Sequence, residues 1–200
     1  MKLKIIGIIC CILVTILGLT SCKTEKDTVS QLNFSTEDQE RLANYVEKYA
    51  AAFDVPYHST DEIDENIIGW FSFWQIWEEN DSVTDEEGYF PIAKETLRSF
   101  VFARFGIEEF EYPDILPIYD ADKGGYQFYP VGEGSLNEII IEDTTYNDDN
   151  TVIYTIMITT YPMDYPFLQP TSKRLTYTFS VEAVEGRYYL QAISAQQLYN

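Results

Sequence analysis

The sequence predicts an α+β protein, with about three helices packed on one face of a curved antiparallel sheet of four to five strands. Three observations carry this. Up to about residue 105, apolar side chains recur at three- and four-residue steps, the period of a helix. Beyond about residue 125 the period drops to two, the period of a strand with one buried face. The strand segments follow one another through short turns, so the chain has no βαβ alternation and no parallel sheet to build.

The first stretch of the chain has a different character. Lys2 and Lys4 form a basic head, and an apolar run follows from Ile5 to Leu19, broken only by Gly7, Thr15 and Gly18. Leu19-Thr20-Ser21-Cys22 closes it. Basic head, apolar middle and small-residue step make a secretory signal. The tetrad resembles the lipobox of bacterial lipoproteins. That resemblance implies cleavage between Ser21 and Cys22 and a diacylglyceryl thioether on Cys22, so the membrane is a partner through lipid. An uncleaved span is the bland alternative, but the run of about fifteen residues is short of the roughly 20 that a spanning helix needs. The expected organisation is a signal peptide over 1–21, lipidated Cys22 with a polar tether to 33, and one α+β domain over 34–200. Fully extended, the tether reaches about 35 Å.

The helices come next. Ser35 caps the first, and Glu37 and Asp38 suit the positive end of its dipole. Leu42, Tyr45, Val46, Tyr49, Ala50 and Phe53 form its apolar face, and Asp54-Val55-Pro56 ends it, because a residue before proline avoids helical angles. A second helix is expected over 61–79, capped by Ser59 or Thr60. At 100° per residue, Ile63, Ile67, Trp70, Phe71, Phe73, Trp74 and Trp77 fall within about 160°, with Ile68 and Ile76 outside. An arc this wide implies deep burial or two neighbours. An acidic loop over 78–88 holds six carboxylates. Pro91 then suits the first turn of a third helix, with Phe90, Ala93, Leu97, Phe100, Val101 and Phe105 on one face and Gly106 as its stop.

Pro113, Pro117, Asp120, Asp122, Gly124 and Gly125 mark an irregular link. Strands are expected over 125–131, 136–145, 151–161, 173–184 and 187–195. The fourth is the clearest: Leu175, Tyr177, Phe179, Val181 and Ala183 alternate with Thr176, Thr178, Ser180 and Glu182. Residues 147–150 and Glu185-Gly186 make hairpins, and the proline-rich 162–170 is a longer excursion. This order of helices and then strands resembles the cone-shaped NTF2-like domains, and a cystatin-like arrangement also fits. The resemblance rests on element order alone and implies helices covering a strongly curved sheet.

Composition narrows the function. Cys10, Cys11 and Cys22 are the three cysteines, so the domain beyond Cys22 has no disulfide and is stabilised by packing. At this size about 70% of the unfolded surface can be buried, enough for an ordinary core. With Lys2 and Lys4 in the leader, 11 basic residues face 33 acids, a charge of −22. Nucleic acid, which is bound by neutralising phosphates, is excluded as a partner. The acidity serves solubility, or attracts a cationic partner or divalent metal.

Catalytic patterns are sparse. His58, the one histidine, sits in a Pro-Tyr-His-Ser loop without a nucleophile motif. With no thiol in the domain and a single histidine, zinc sites built on His and Cys have no ligand set. A carboxylate pair remains possible for a glycan hydrolase, although 33 acids offer pairs by chance. Asp120-Ala121-Asp122-Lys123-Gly124 begins like a calcium loop but lacks its later ligands, and reads as a turn. Gly124-Gly125 and Gly132-Glu133-Gly134 lack phosphate-loop spacing. Trp70, Trp74 and Trp77, within about 60° of one another, are the candidate ligand-facing aromatics, set against the plainer role of core. The expectation is a surface-anchored, extracytoplasmic, non-enzymatic binding or accessory module with no cofactor or metal, engaging a protein or small-molecule ligand. The alternatives are a carboxylate-only hydrolase acting on glycans and a structural partner of another envelope protein.

Overall fold

The computed structural model describes residues 34–80, 83–113, 117–130, 137–162, 169–184 and 186–199. The signal, Cys22 and the tether lie outside them, as do residues 81–82 of the acidic loop, Gly132-Glu133-Gly134, Glu185 and most of the proline-rich excursion. The described residues fall within one unit, Leu32–Asn200, and comprise three α-helices and two antiparallel sheets of three and four strands. Among them no helix is long and apolar enough to cross a membrane.

Helix α1 spans Thr36–Ala52. The Ser35 hydroxyl accepts from the Asp38 N–H at 3.0 Å and the Asp38 carboxylate accepts from the Ser35 N–H at 3.4 Å, a reciprocal capping box. Leu42, Tyr45, Val46, Tyr49 and Ala50 are its buried face, as the periodicity predicts. The segment after it runs back to the last strand. Tyr57 and Ala195 exchange backbone hydrogen bonds, both 2.9 Å.

Helix α2 spans Glu65–Glu79, four residues later than expected. Residues Thr60–Glu62 form a separate 3₁₀ turn, Ile63 is extended, and the Asp64 carboxylate caps the helix through the Asn66 N–H at 2.8 Å. Its orientation also differs. Ile68, Gly69, Phe71, Ser72, Phe73, Gln75 and Ile76 are buried, whereas Ile67 is 42% exposed. At 100° per residue Ser72 centres the buried arc, and the three tryptophans lie on the opposite side. Two neighbours explain this. Phe71 meets Tyr45, Tyr49 and Phe53 on one side, and Phe73 meets Tyr126 and Phe128 on the other. Gly69 is the point of closest approach, since a Cβ there would overlap the Tyr112 ring.

Pro91 does not open the third helix. Residues Phe90–Ile92 form strand β1, and α3 spans Lys94–Phe105. Strand β1 pairs with β3, Gly125–Phe128, which pairs on its other edge with β2, Tyr119–Asp120. Pro91 is tolerated because β1 is an edge strand, where a missing N–H breaks no second ladder. The expected first strand of the main sheet is therefore the centre of a separate small sheet. Both its edges are already occupied by β1 and β2.

The main sheet is a meander in the order β4 (Asn137–Tyr146), β5 (Thr151–Thr160), β6 (Thr171–Val184) and β7 (Arg187–Leu198). Asn150, at φ 63°, closes the β4–β5 hairpin. Val152, Tyr154, Ile156 and Ile158 of β5 share their buried face with Leu175, Tyr177, Phe179 and Val181 of β6. A bulge at Ile193 resets the alternation in β7, so Leu190, Ala192 and Ala195 are all buried while Ile193 is exposed. The Tyr49 ring of α1 sits 5.8 Å from Tyr177 and 5.2 Å from Phe179.

Candidate functional site

The small sheet places its aromatics by register. Phe90 pairs with Phe128, so the next residues outward, Tyr89 and Tyr129, come together with ring centroids 5.2 Å apart. The inner pair packs on α2, where Phe128 meets Trp70 at 5.9 Å and Trp74 at 5.3 Å, both edge-on. A cleft of about 460 Å³ opens between the outer pair, Trp70 and the β2 segment, with Ile118 completing its apolar wall. Tyr129 and Ile118 are 46% and 58% exposed, so the apolar wall is open to solvent.

Polar groups stand at the rim. The Lys123 ammonium donates to Glu87 at 2.9 Å and lies 5.7 Å from the Tyr89 ring centre. Its hydrogen bond to Glu87 raises its pKa above the ordinary lysine value. Residues 120–124 form the β2–β3 turn, and Asp120 Oδ1 accepts the Asp122 and Lys123 N–H groups at 2.9 and 3.2 Å. The carboxylate thus holds the turn that presents Lys123. Gln127 Nε2 donates to the Gly125 carbonyl at 2.9 Å. Three aromatic rings, the apolar side chains of Pro117 and Ile118 and a small set of polar groups suit a ligand with a flat apolar face and hydroxyls on its edge.

Trp70 has a second exposure. With Trp74 and the exposed Ile67 it borders a groove of about 400 Å³ against Lys48, Ala51 and Ala52 of α1. Trp77 borders neither cavity. It packs edge-on to Trp74 at 5.4 Å, and its indole N–H is buried without an acceptor among the described residues. The structure thus brings Trp70 and Trp74 to cavity walls and turns Trp77 toward its neighbour. His58 is exposed, and its backbone N–H is held by Glu62 at 2.9 Å.

Tyr89, Ile118, Lys123 and Tyr129 escape a reading of the sequence. Tyr89 reaches the others only through strand pairing between residues about forty apart, and the short β2–β3 hairpin that joins Ile118, Lys123 and Tyr129 has no clear local period. Gly69 and Ser72 lie on the close-packed side of α2, opposite the tryptophans. In comparisons with known proteins, no family model, no curated protein and no solved structure matches the chain.

Proposed function

We propose that the chain is a lipid-anchored, extracytoplasmic binding module. Its domain lays helices over one face of a curved antiparallel sheet, in the NTF2-like or cystatin-like manner, and its Trp70–Tyr89–Tyr129 cleft takes a small saccharide. The lipobox tetrad ending in Cys22 supports the address. Ring contacts from Tyr49 of α1 to Tyr177 and Phe179 of β6 support the arrangement of helix and sheet. The observation that carries the ligand class is the cleft itself, where aromatic faces stack on sugar rings while Lys123, Glu87 and Gln127 meet hydroxyls.

The test is a thermal-shift panel of neutral mono- and disaccharides on the full-length protein in detergent. A sugar at 100 times its dissociation constant adds about 2.7 kcal/mol of stability. Tyr129→Ala should weaken that sugar at least about tenfold while changing the unligated midpoint little, because the ring is half-exposed. Absence of any shift, or full retention by Tyr129→Ala, removes the saccharide reading. Turnover of a bound glycan that Glu87→Gln abolishes would replace it with the carboxylate hydrolase.

A further inference from the structure

A second cleft, of about 370 Å³, lies where α1, α2, α3 and β7 meet, and its chemistry is the reverse of the chain's. Eleven basic residues follow Cys22, and four of them, Arg41, Lys48, Arg104 and Arg187, line this one cavity. Arg104 is its built centre. Only 4% exposed, it carries its guanidinium 4.8 Å from the Tyr45 ring centre and 4.6 Å from that of Tyr189, with Phe100 at 5.3 Å. One of its N–H groups donates to Glu79 Oε1 at 3.0 Å. A guanidinium has five such donors in a planar fork.

The charges in the wall can be matched pair by pair. Arg41 meets Asp38 at 3.3 Å, Lys48 meets Glu78 at 2.6 Å, and Arg104 meets Glu79. Arg187, exposed on the rim at the start of β7, has no ion-pair partner among the described residues. Among the described residues, one positive charge of the wall is left over. A second group also lacks a partner. Tyr45, a wall residue that is 7% exposed, has a buried hydroxyl with no hydrogen bond among the described residues. Leaving such a hydroxyl unmet is costly, and one that can both donate and accept suits a carboxylate oxygen.

We infer that this cleft binds the carboxylate of a small organic acid, through Arg187, the free edge of Arg104 and the Tyr45 hydroxyl. A single uncompensated cation matches a monoanion. A dianionic phosphate would leave excess negative charge beside Glu78 and Glu79. The acidity of the whole chain does not forbid the site, because charges beyond the Debye length of about 8 Å at physiological salt are largely screened. Planar carboxylates suit the guanidinium fork in geometry as well as charge. The inference is independent of the saccharide cleft, since it uses neither Trp70 nor the small sheet.

The experiment titrates the full-length protein in detergent with benzoate, its neutral isostere benzamide, and inorganic phosphate by calorimetry. Benzoate should bind at least tenfold more tightly than either of the others. Arg187→Gln and Tyr45→Phe should each weaken benzoate at least fivefold without lowering the unfolding midpoint, since one residue is exposed and the other loses an unpaired hydroxyl. The inference is overturned if benzoate does not bind, if benzamide or phosphate equals it, or if either variant keeps full affinity.

Discussion

Tyr49 stands at the centre of the core, ringed by Phe53, Phe71, Phe105, Tyr177 and Phe179, with its hydroxyl 2.7 Å from that of Tyr57. Tyr177 donates to the Phe53 carbonyl at 2.8 Å. The hydroxyls of Tyr49, Tyr57 and Tyr177 each find a partner where the helix end meets the sheet, so these three phenols add ring area to the core without leaving a polar atom unmet. The same burial makes alkaline pH a probe. Loss of solvation pushes Tyr57 up to about 12 from 10.0, and it raises Tyr45, Tyr49, Tyr154 and Tyr177 as well. With the folded value above the unfolded one, stability is fully present below pH 10. It falls above that, because the unfolded chain ionises first. Each such tyrosine contributes a slope of about 1.4 kcal/mol per pH unit within its window. Urea midpoints should be flat from pH 7 to 9 and drop steeply from pH 10 to 12. A midpoint unchanged at pH 11.5 would contradict the placement of these phenols.

At the scale of elements, α2 and the small sheet form a unit built on unlike halves. One side of α2 belongs to the main core through Phe71, and the other carries β3 through Phe73, Trp70 and Trp74. The small sheet depends on Gly125. Its φ is +155°, and a Cβ there would run into the Ile92 carbonyl of β1. Gly125→Ala should therefore part β1 from β3 and cost about 1–3 kcal/mol. Because Tyr89 and Tyr129 meet only through that pairing, saccharide affinity should fall along with the denaturation midpoint. Retained midpoint and retained cleft binding would show that the close approach is not needed. The cap of α1, the face of α1 and the stop at Gly106 were all legible, because each is decided within a few residues. The start of α2 was not: Asp64 and Ser59 are both competent caps, and only the extended conformation of Ile63 selects between them.

For the whole molecule, charge bears on the proposed anchor. A domain this acidic gains nothing from anionic headgroups, where each basic residue near the surface would contribute about 1 kcal/mol. Membrane affinity on the proposed reading therefore rests on the lipid at Cys22. Cys22→Ala should abolish incorporation of labelled fatty acid and release the protein from the membrane fraction, and labelling that survives would remove the lipoprotein reading. Within the domain the few cations are not spread evenly. Arg41, Lys48, Arg104 and Arg187 come from three different elements to one cleft. Their sequence positions, spread over about 150 residues, carry no hint of that.

The sequence by itself determined the α+β class, the three helices, the four long strands with their hairpins, and the expectation of a lipid address. These follow from local periods, caps, turn residues and a short motif, all properties of neighbours along the chain. Tertiary structure alone decided that the 125–128 strand leaves the main sheet, that α2 turns its small residues inward, and that a tyrosine pair and an arginine cluster form. α2 is apolar almost all round, so its phase is set by the neighbours it meets rather than by its own pattern. Pairing between distant strands likewise depends on which edges are already satisfied. The tryptophans were thus visible in the sequence as a stripe, but only packing made two of them the walls of cavities.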